Sequence, residues 1–359
     1  MEGGTERDLS GLANYYCSKG IKVDIVLLYK MDRFYSIDKR IEIYDPDSDR
    51  KSMNKYVYAF RLIPFIRDIL KKTNPDVIFS FGEWFNPFIL LATRGLKYPV
   101  FVCDRMNPGL KFGMILDTAK KFLYKRAKGI IAQTNYAADI IRKTTNAKNV
   151  FVIPNSLNLM RYMLCEKENY IVTLGRLSKE KGHTYLIQAF AKINNHDWTL
   201  HIIGDGPMRS ELEDQAKKLG IEKRVIFHGH LKDFSILFSE SKIFVLPSLS
   251  EGFPNALIEA MSVPLACISS NCIAGPSDII INGENGLLVE PANVEDLTGA
   301  LNELIADETI QNKLSDNAYK IRERLNYKKI AAEYLKFVSS EVPDNITAFP
   351  GTDAGAKGL

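Results

Sequence analysis

Twice along this chain, short apolar runs end in a glycine-bearing or polar turn and give way to a helical stretch, and the rhythm restarts after Ser156. Continuous apolar runs are buried on both faces, as in a parallel sheet with helices on each side. In the first pass GIKVDIVLLY, PDVIFSFG, YPVFVCD, GIIAQT and NVFVIPNS read as strands, and KYVYAFRLIPFIRDILKKT as a helix. In the second, NYIVTLGRL, WTLHIIGDG, RVIFHG, KIFVLPS and LACISS are strands; HTYLIQAFAKI, GPMRSELEDQAKKLG, FPNALIEAMS and NVEDLTGALNELIADE are helices. The pattern predicts an α/β fold of two doubly wound, Rossmann-like domains facing across a cleft. A chain of 359 residues exceeds one ordinary core, which agrees with two domains. The expected boundaries are 1–156, 157–326, a C-terminal helix 327–342 that returns to the first domain, and a polar, glycine-rich tail 343–359 expected to be disordered. The segment after MEGG reads as a helix where a doubly wound domain opens with a strand, so the first strand is expected to be missing or upstream.

Charge and composition exclude several classes. A formal net charge of +4 is too mild to argue for nucleic acid. The five cysteines lack C-x-x-C spacing, so no zinc site or disulfide framework is expected, and a reducing, cytoplasmic setting follows. No H-x-x-x-H spacing suggests a metal. No apolar run reaches the roughly 18 residues of a membrane span, and MEGGTERDLS has no signal-peptide core. The Asp-x-Asp spacing in DPDSD (45–49) follows no apolar strand and reads as a solvated loop.

Four stretches carry chemistry. In SEGFPNALIEAM (250–261), Pro254 suits a first helical turn. Asn255, Ala256 and Leu257 would then offer backbone N–H groups to an anion such as a diphosphate. Glu259, about a turn further on, suits a ribose diol, because a carboxylate accepts two hydroxyl hydrogens. Glu251, in the loop, would point at what the diphosphate carries. The same spacing also fits an amphipathic helix with solvated acids. In TLGRLSKEKGHTYLIQAF, Arg176 and Lys181 leave the end of a strand, where open α/β sheets bind ligands, and would neutralise a diphosphate. A charged loop is the plain alternative. The turn at Gly204 in IIGDGP reads more readily as structural than as a contact. In VIFHGHL, the loop at His230 and Leu231 would hold a base through its backbone, or His228 and His230 are ordinary loop residues.

The order GR…K, GDGP, F-x-G, E-x7-E and GENGLLV resembles the family-4 retaining glycosyltransferases, which have the two-domain GT-B fold. The likeness runs through almost the whole chain and is strongest over 170–300. It implies that Arg176 and Lys181 hold the donor diphosphate and that Glu259 binds the ribose. The backbone at Ala256 and Leu257 would cap the diphosphate, Glu251 would contact the transferred sugar, and His230 and Leu231 would lie by the base. Gly3 and Gly4 resemble the glycine loop of the first domain. Two departures stand out. Many members carry a first-domain histidine near the sugar, whereas no histidine precedes position 183 here. The matching stretch is VCDRMNP, which offers Arg105 instead. The glycine that usually ends the E-x7-E helix is Pro264.

Transfer of this kind requires neither a cofactor nor a metal, since fixed cations stabilise the leaving diphosphate. The implied donor is a nucleotide-sugar, a UDP-sugar first. Residues 111–128 interleave lysines and arginine with aromatic and aliphatic residues, a pattern that suits an anionic lipid surface or, equally, a packed helix with a solvated basic face. On the lipid reading, the acceptor is a polyprenyl-diphosphate-linked glycan and the protein is peripheral at the inner membrane face. A sugar-nucleotide epimerase of the same fold and a non-catalytic nucleotide-sugar-binding protein are the alternatives. A glycogen-type synthase would bring a longer acceptor surface, and a dinucleotide oxidoreductase would show G-x-G-x-x-G after a strand.

Overall fold

A computed structural model describes residues 4–29, 35–46, 55–107, 109–157, 160–193 and 195–342. Gly3, positions 47–49 of the DPDSD stretch and the expected tail lie outside them. The chain divides into two compact units. The first comprises Met1–Gln133, Ala138–Ile153 and Lys328–Leu359; the second comprises Thr134–Ala137 and Pro154–Tyr327.

The first unit runs α1 (Gly4–Ser18), β1 (Asp24–Val26), β2 (Glu42–Tyr44), α2 (Lys55–Thr73), β3 (Ile78–Phe81), α3 (Asn86–Ala92), β4 (Val100–Cys103), α4 (Met114–Leu123), β5 (Gly129–Ala132), α5 (Asn135–Thr145) and β6 (Val150–Val152). β3-β4-β5-β6 form one parallel sheet, and β1-β2 form a separate parallel pair. Each β4 and β5 residue is buried, as their unbroken apolar runs require. The long strand expected at 20–29 is only Asp24–Val26, and its partner Glu42–Tyr44 was not anticipated. Three residues flanked by charged positions carry too little pattern to register as a strand.

The second unit runs β7 (Tyr170–Leu174), α6 (His183–Ala191), β8 (Thr199–Ile203), α7 (Arg209–Lys218), β9 (Val225–Gly229), α8 (Ser235–Glu240), β10 (Ile243–Leu246), α9 (Asn255–Met261), β11 (Ala266–Ser270), α10 (Pro276–Ile279), β12 (Leu287–Val289), α11 (Val294–Ala306), α12 (Glu308–Tyr319) and α13 (Ile321–Arg324). Its six strands lie in the order β12-β11-β10-β7-β8-β9, all parallel. Ile171, Leu200, Ile202, Ile243, Val245 and Ile268 from the sheet meet Leu186, Phe190, Leu212 and Leu301 from the helices in one core. Side-chain caps start α11 and α12: Asn293 accepts the N–H of Asp296, and Asp307 those of Thr309 and Ile310.

The last helix, α14 (Tyr327–Glu341), packs almost entirely on the first unit. Phe337 lies 3.9 Å from Phe151 and 5.4 Å from Phe101, centroid to centroid. Gly129 is needed beneath it, because a Cβ there would enter the Phe337 ring. The Tyr16 hydroxyl donates to the Ala331 carbonyl at 3.0 Å.

Candidate active site

In the second unit, winding proceeds from β7 through β8 to β9 on one side, while β10, β11 and β12 build outward on the other. The reversal falls between β7 and β10. In open α/β sheets, ligands bind at the carboxyl ends of the strands at such a point. Two loops meet there, 175–182 after β7 and 247–254 after β10. Gly182 has φ +68, and a Cβ on it would occupy the Pro247 carbonyl oxygen, so the loops touch backbone to backbone. Leu249 N–H donates to the Glu180 carbonyl at 2.8 Å.

This contact brings together residues 70 positions apart. Lys181 Nζ lies 2.7 Å from Glu251 Oε1, which also accepts the Ser248 hydroxyl at 2.6 Å. Glu251 is 7% exposed and buried against this pair of donors. Ser248 is held in turn, since its carbonyl accepts the Ser270 hydroxyl. Sequence reasoning missed Ser248, although a serine three residues before an acid in a turn is the available signal. Arg176 is exposed and makes no salt bridge among the described residues. Its neighbour Lys181 is already paired, so the two cations are not equivalent.

Glu259 lies on α9 and is 7% exposed. The start of this helix differs from expectation. Pro254 (ψ 74) tightens the first turn, so Asn255 N–H donates to the Phe253 carbonyl and Leu257 N–H to that of Pro254. Of the three N–H groups expected to be free, only that of Ala256 is outside these turn bonds. The Asn255 side chain accepts from Asn155 at 3.0 Å. Without the expected glycine, α9 ends at Ser262, whose hydroxyl caps the Glu259 carbonyl at 2.7 Å.

Gly204 (φ +132) lets the turn after β8 approach the one after β7, because a Cβ would meet the Gly175 carbonyl. This is the structural role considered for it. His230 and Leu231 are exposed in the loop after β9. His183, the first residue of α6, is 3% exposed, and its Nδ1 has no partner among the described residues. Burial, with Lys181 nearby, lowers its pKa to about 4, so the ring is neutral near pH 7.

In the first unit, Gly4 opens α1. Arg105 has a different task from the substrate contact expected of it. Its side chain is 4% exposed, bonded to Asp8 at 2.6 Å and to the Tyr334 hydroxyl at 3.1 Å. It ties α1 and α14 to the loop after β4. Beside it, Asp104 accepts from Tyr124 (2.6 Å), Asn86 (3.0 Å) and Lys120 (2.5 Å). Glu83 Oε1 accepts the N–H groups of Arg105 and Met106, each at 2.5 Å. Burial, reinforced by Asp104, raises the Glu83 carboxyl to about 7. On α4, Met114, Ile115 and Phe122 are 84%, 74% and 63% exposed, with exposed Lys111, Lys121, Lys125, Arg126 and Lys128 around them. No helix of the described residues is long and apolar enough to cross a membrane.

Comparison with known proteins identifies what this arrangement belongs to. The family described as Glycosyltransferase Family 4 matches residues 2–161, and Glycosyl transferases group 1 matches 161–321. The Salmonella typhimurium lipopolysaccharide 1,6-galactosyltransferase is 34% identical over 85% of this chain and 87% of its own. The Campylobacter jejuni GalNAc-alpha-(1->4)-GalNAc-alpha-(1->3)-diNAcBac-PP-undecaprenol alpha-1,4-N-acetyl-D-galactosaminyltransferase is 27% identical over 94% and 95%. Among solved structures, the lipopolysaccharide outer core galactosyltransferase WaaB superposes with a TM-score of 0.79 at 24% identity, covering 95% of this chain and 96% of that one. Anabaena Alr3699/HepE, in complex with UDP, gives 0.79 at 18%, covering 95% and 97%. The chain belongs to the family-4 glycosyltransferases. It is an enzyme of bacterial polysaccharide and glycan assembly with the two-domain GT-B fold.

Proposed function

We propose that this enzyme moves a hexosyl or N-acetylhexosaminyl group from a UDP-sugar, with retention, to a lipid-linked glycan at a membrane surface. The observation that carries this reading is the convergence of Arg176, Lys181 and Glu251 where the second unit's sheet reverses. A nucleoside diphosphate presents two or more negative charges, and exposed Arg176 with Lys181 supplies the matching cations. In the transfer, the bond from the sugar's anomeric carbon to the diphosphate oxygen breaks. The acceptor hydroxyl bonds to that carbon on the same face, and its proton passes to the leaving diphosphate oxygen. The two cations stabilise the charge that develops on the diphosphate, so no metal is required for that step. Glu251, fixed by Lys181 and Ser248, faces the sugar, and Glu259 takes the ribose hydroxyls. UDP is favoured because the Anabaena neighbour is in complex with it, and a polyprenyl-linked acceptor because the Campylobacter relative's name carries PP-undecaprenol. The exposed apolar and basic face of α4 supports membrane contact.

A thermal-shift panel of UDP, GDP and ADP with chelator present tests this. UDP is expected to raise the midpoint by mass action, and Glu259→Ala to remove the shift. A shift with none of the three, or one indifferent to Glu259, refutes the donor assignment.

A further inference from the structure

Three features meet at the carboxyl end of β3 in the first unit. Winding reverses between β1 and β3, and the rings of Tyr29, just past β1, and Phe85, just past β3, lie 6.0 Å apart. The two strand ends therefore flank one crevice, the place where open α/β sheets take ligands. Trp84 lies there 53% exposed, yet it is not loose: Phe112 meets it edge to face at 5.0 Å and 79°. Next to it in the chain, Glu83 is 3% exposed, and its Oε2 has no hydrogen-bond partner among the described residues. Its other oxygen holds the N–H of Met106, a residue 38% exposed. The carboxyl thus sits between two surface side chains with half its bonding capacity unused, which is costly for a buried oxygen.

A braced aromatic ring beside a carboxyl oxygen in search of a donor fits a sugar better than a lipid tail. The C–H face of a pyranose carries partial positive charge and stacks on the negative face of an indole, while its hydroxyls donate to carboxylates. We infer that the carboxyl end of β3 is a subsite for a pyranose ring of the glycan acceptor, with Trp84 as the stacking platform and Glu83 as the hydroxyl acceptor. This rests on the proposed glycosyl transfer, and it places acceptor recognition on residues separate from the donor cations. A lipid tail would leave Glu83 Oε2 unsatisfied.

The chain has two tryptophans, and the other, Trp198, is 3% exposed, so Trp84 reports on this surface. The probes are methyl α-galactoside and methyl α-N-acetylgalactosaminide, titrated into the full chain with tryptophan emission and ligand-observed saturation-transfer NMR. Expected are a saturable blue shift and saturation transfer to the glycoside. Trp84→Ala abolishes the transfer, and Glu83→Gln weakens binding about tenfold, the loss of one charge-assisted hydrogen bond. UDP binding to the second unit stays unchanged in both variants. The inference is overturned if neither glycoside produces either signal. It is equally overturned if transfer survives Trp84→Ala in protein that still melts cooperatively, or if only anionic vesicles free of glycan shift the emission, which would make this a lipid-facing surface. Failure of the donor assignment would show separately, as no UDP response in the unaltered chain.

Discussion

Glu251→Gln separates the two tasks that meet at Lys181. The substitution keeps an oxygen that can accept from Lys181 Nζ, 2.7 Å away, and from the Ser248 hydroxyl, 2.6 Å away, but removes the negative charge. A hydrogen bond to a charged group contributes about 1.5–3 kcal/mol net. The Lys181 side chain is 26% exposed, so solvent screens part of this, and the retained acceptor recovers more. The expected destabilisation is about 1 kcal/mol, a drop of a few degrees in the midpoint for a chain of this size. The effect on ligand runs the other way. With its counter-charge gone, Lys181 adds its full cation to that of Arg176, so UDP should bind roughly fivefold more tightly, about 1 kcal/mol. Turnover should fall by about 10²-fold, the usual loss on removing one group that acts on the reacting centre. Calorimetry with UDP and a UDP-release assay read the two effects independently. Weaker UDP binding in Glu251→Gln would mean that Glu251 supports the nucleotide rather than restraining Lys181. Unchanged turnover would remove Glu251 from the sugar.

Two further outcomes follow from the first unit. Arg105→Met leaves Asp8 buried without its cation and should cost about 3–5 kcal/mol in unfolding experiments, while UDP affinity stays unchanged; a variant with normal stability but weakened ligand binding would restore Arg105 as a substrate residue. Glu83 binds its proton more tightly folded (about 7) than unfolded (4.5), so its contribution to stability is present at acid pH and is lost as pH rises through that window. Chemical denaturation of Glu83→Gln between pH 5 and 8 should show a slope shallower by about 1–3 kcal/mol across the interval, and an identical slope would mean that Glu83 titrates normally.

The order of motifs along the chain carried the fold and the identity of the donor residues, because strand period and turn chemistry are local. Arg176, Glu251 and Glu259 were legible as residues that leave strand ends or enter a helix. The pairing of Lys181 with Glu251 was not, since it depends on Gly182 packing on Pro247, a contact between loops far apart in sequence. For the same reason Arg105 looked like an exposed cation after a strand. Its partners Asp8 and Tyr334 come from opposite ends of the chain, and only their arrival buries it. The free N–H groups expected at 255–257 failed for a local reason: Pro254 fits a first turn, but at ψ 74 it makes the tighter turn that engages two of them.

The donor site is built on main-chain contacts. Gly182 rests on Pro247, Gly204 on Gly175 and Gly206 on Leu177, each so close that any side chain would intrude on a backbone carbonyl. The loops after β7, β8 and β10 are therefore fixed relative to one another before any side chain acts. Such a frame suits electrostatic stabilisation, which depends on charges that need not reorganise during the reaction. It also separates what must stay constant from what can vary. The positions of Arg176, Lys181 and Glu251 are set by backbone packing, whereas the surface at Trp84 depends on side chains braced by Phe112 and by the Glu83 contacts. Changes of acceptor would thus fall on residues such as Trp84 and Met106 and leave the donor frame intact, consistent with one fold supporting many sugar transfers through its sites rather than its scaffold.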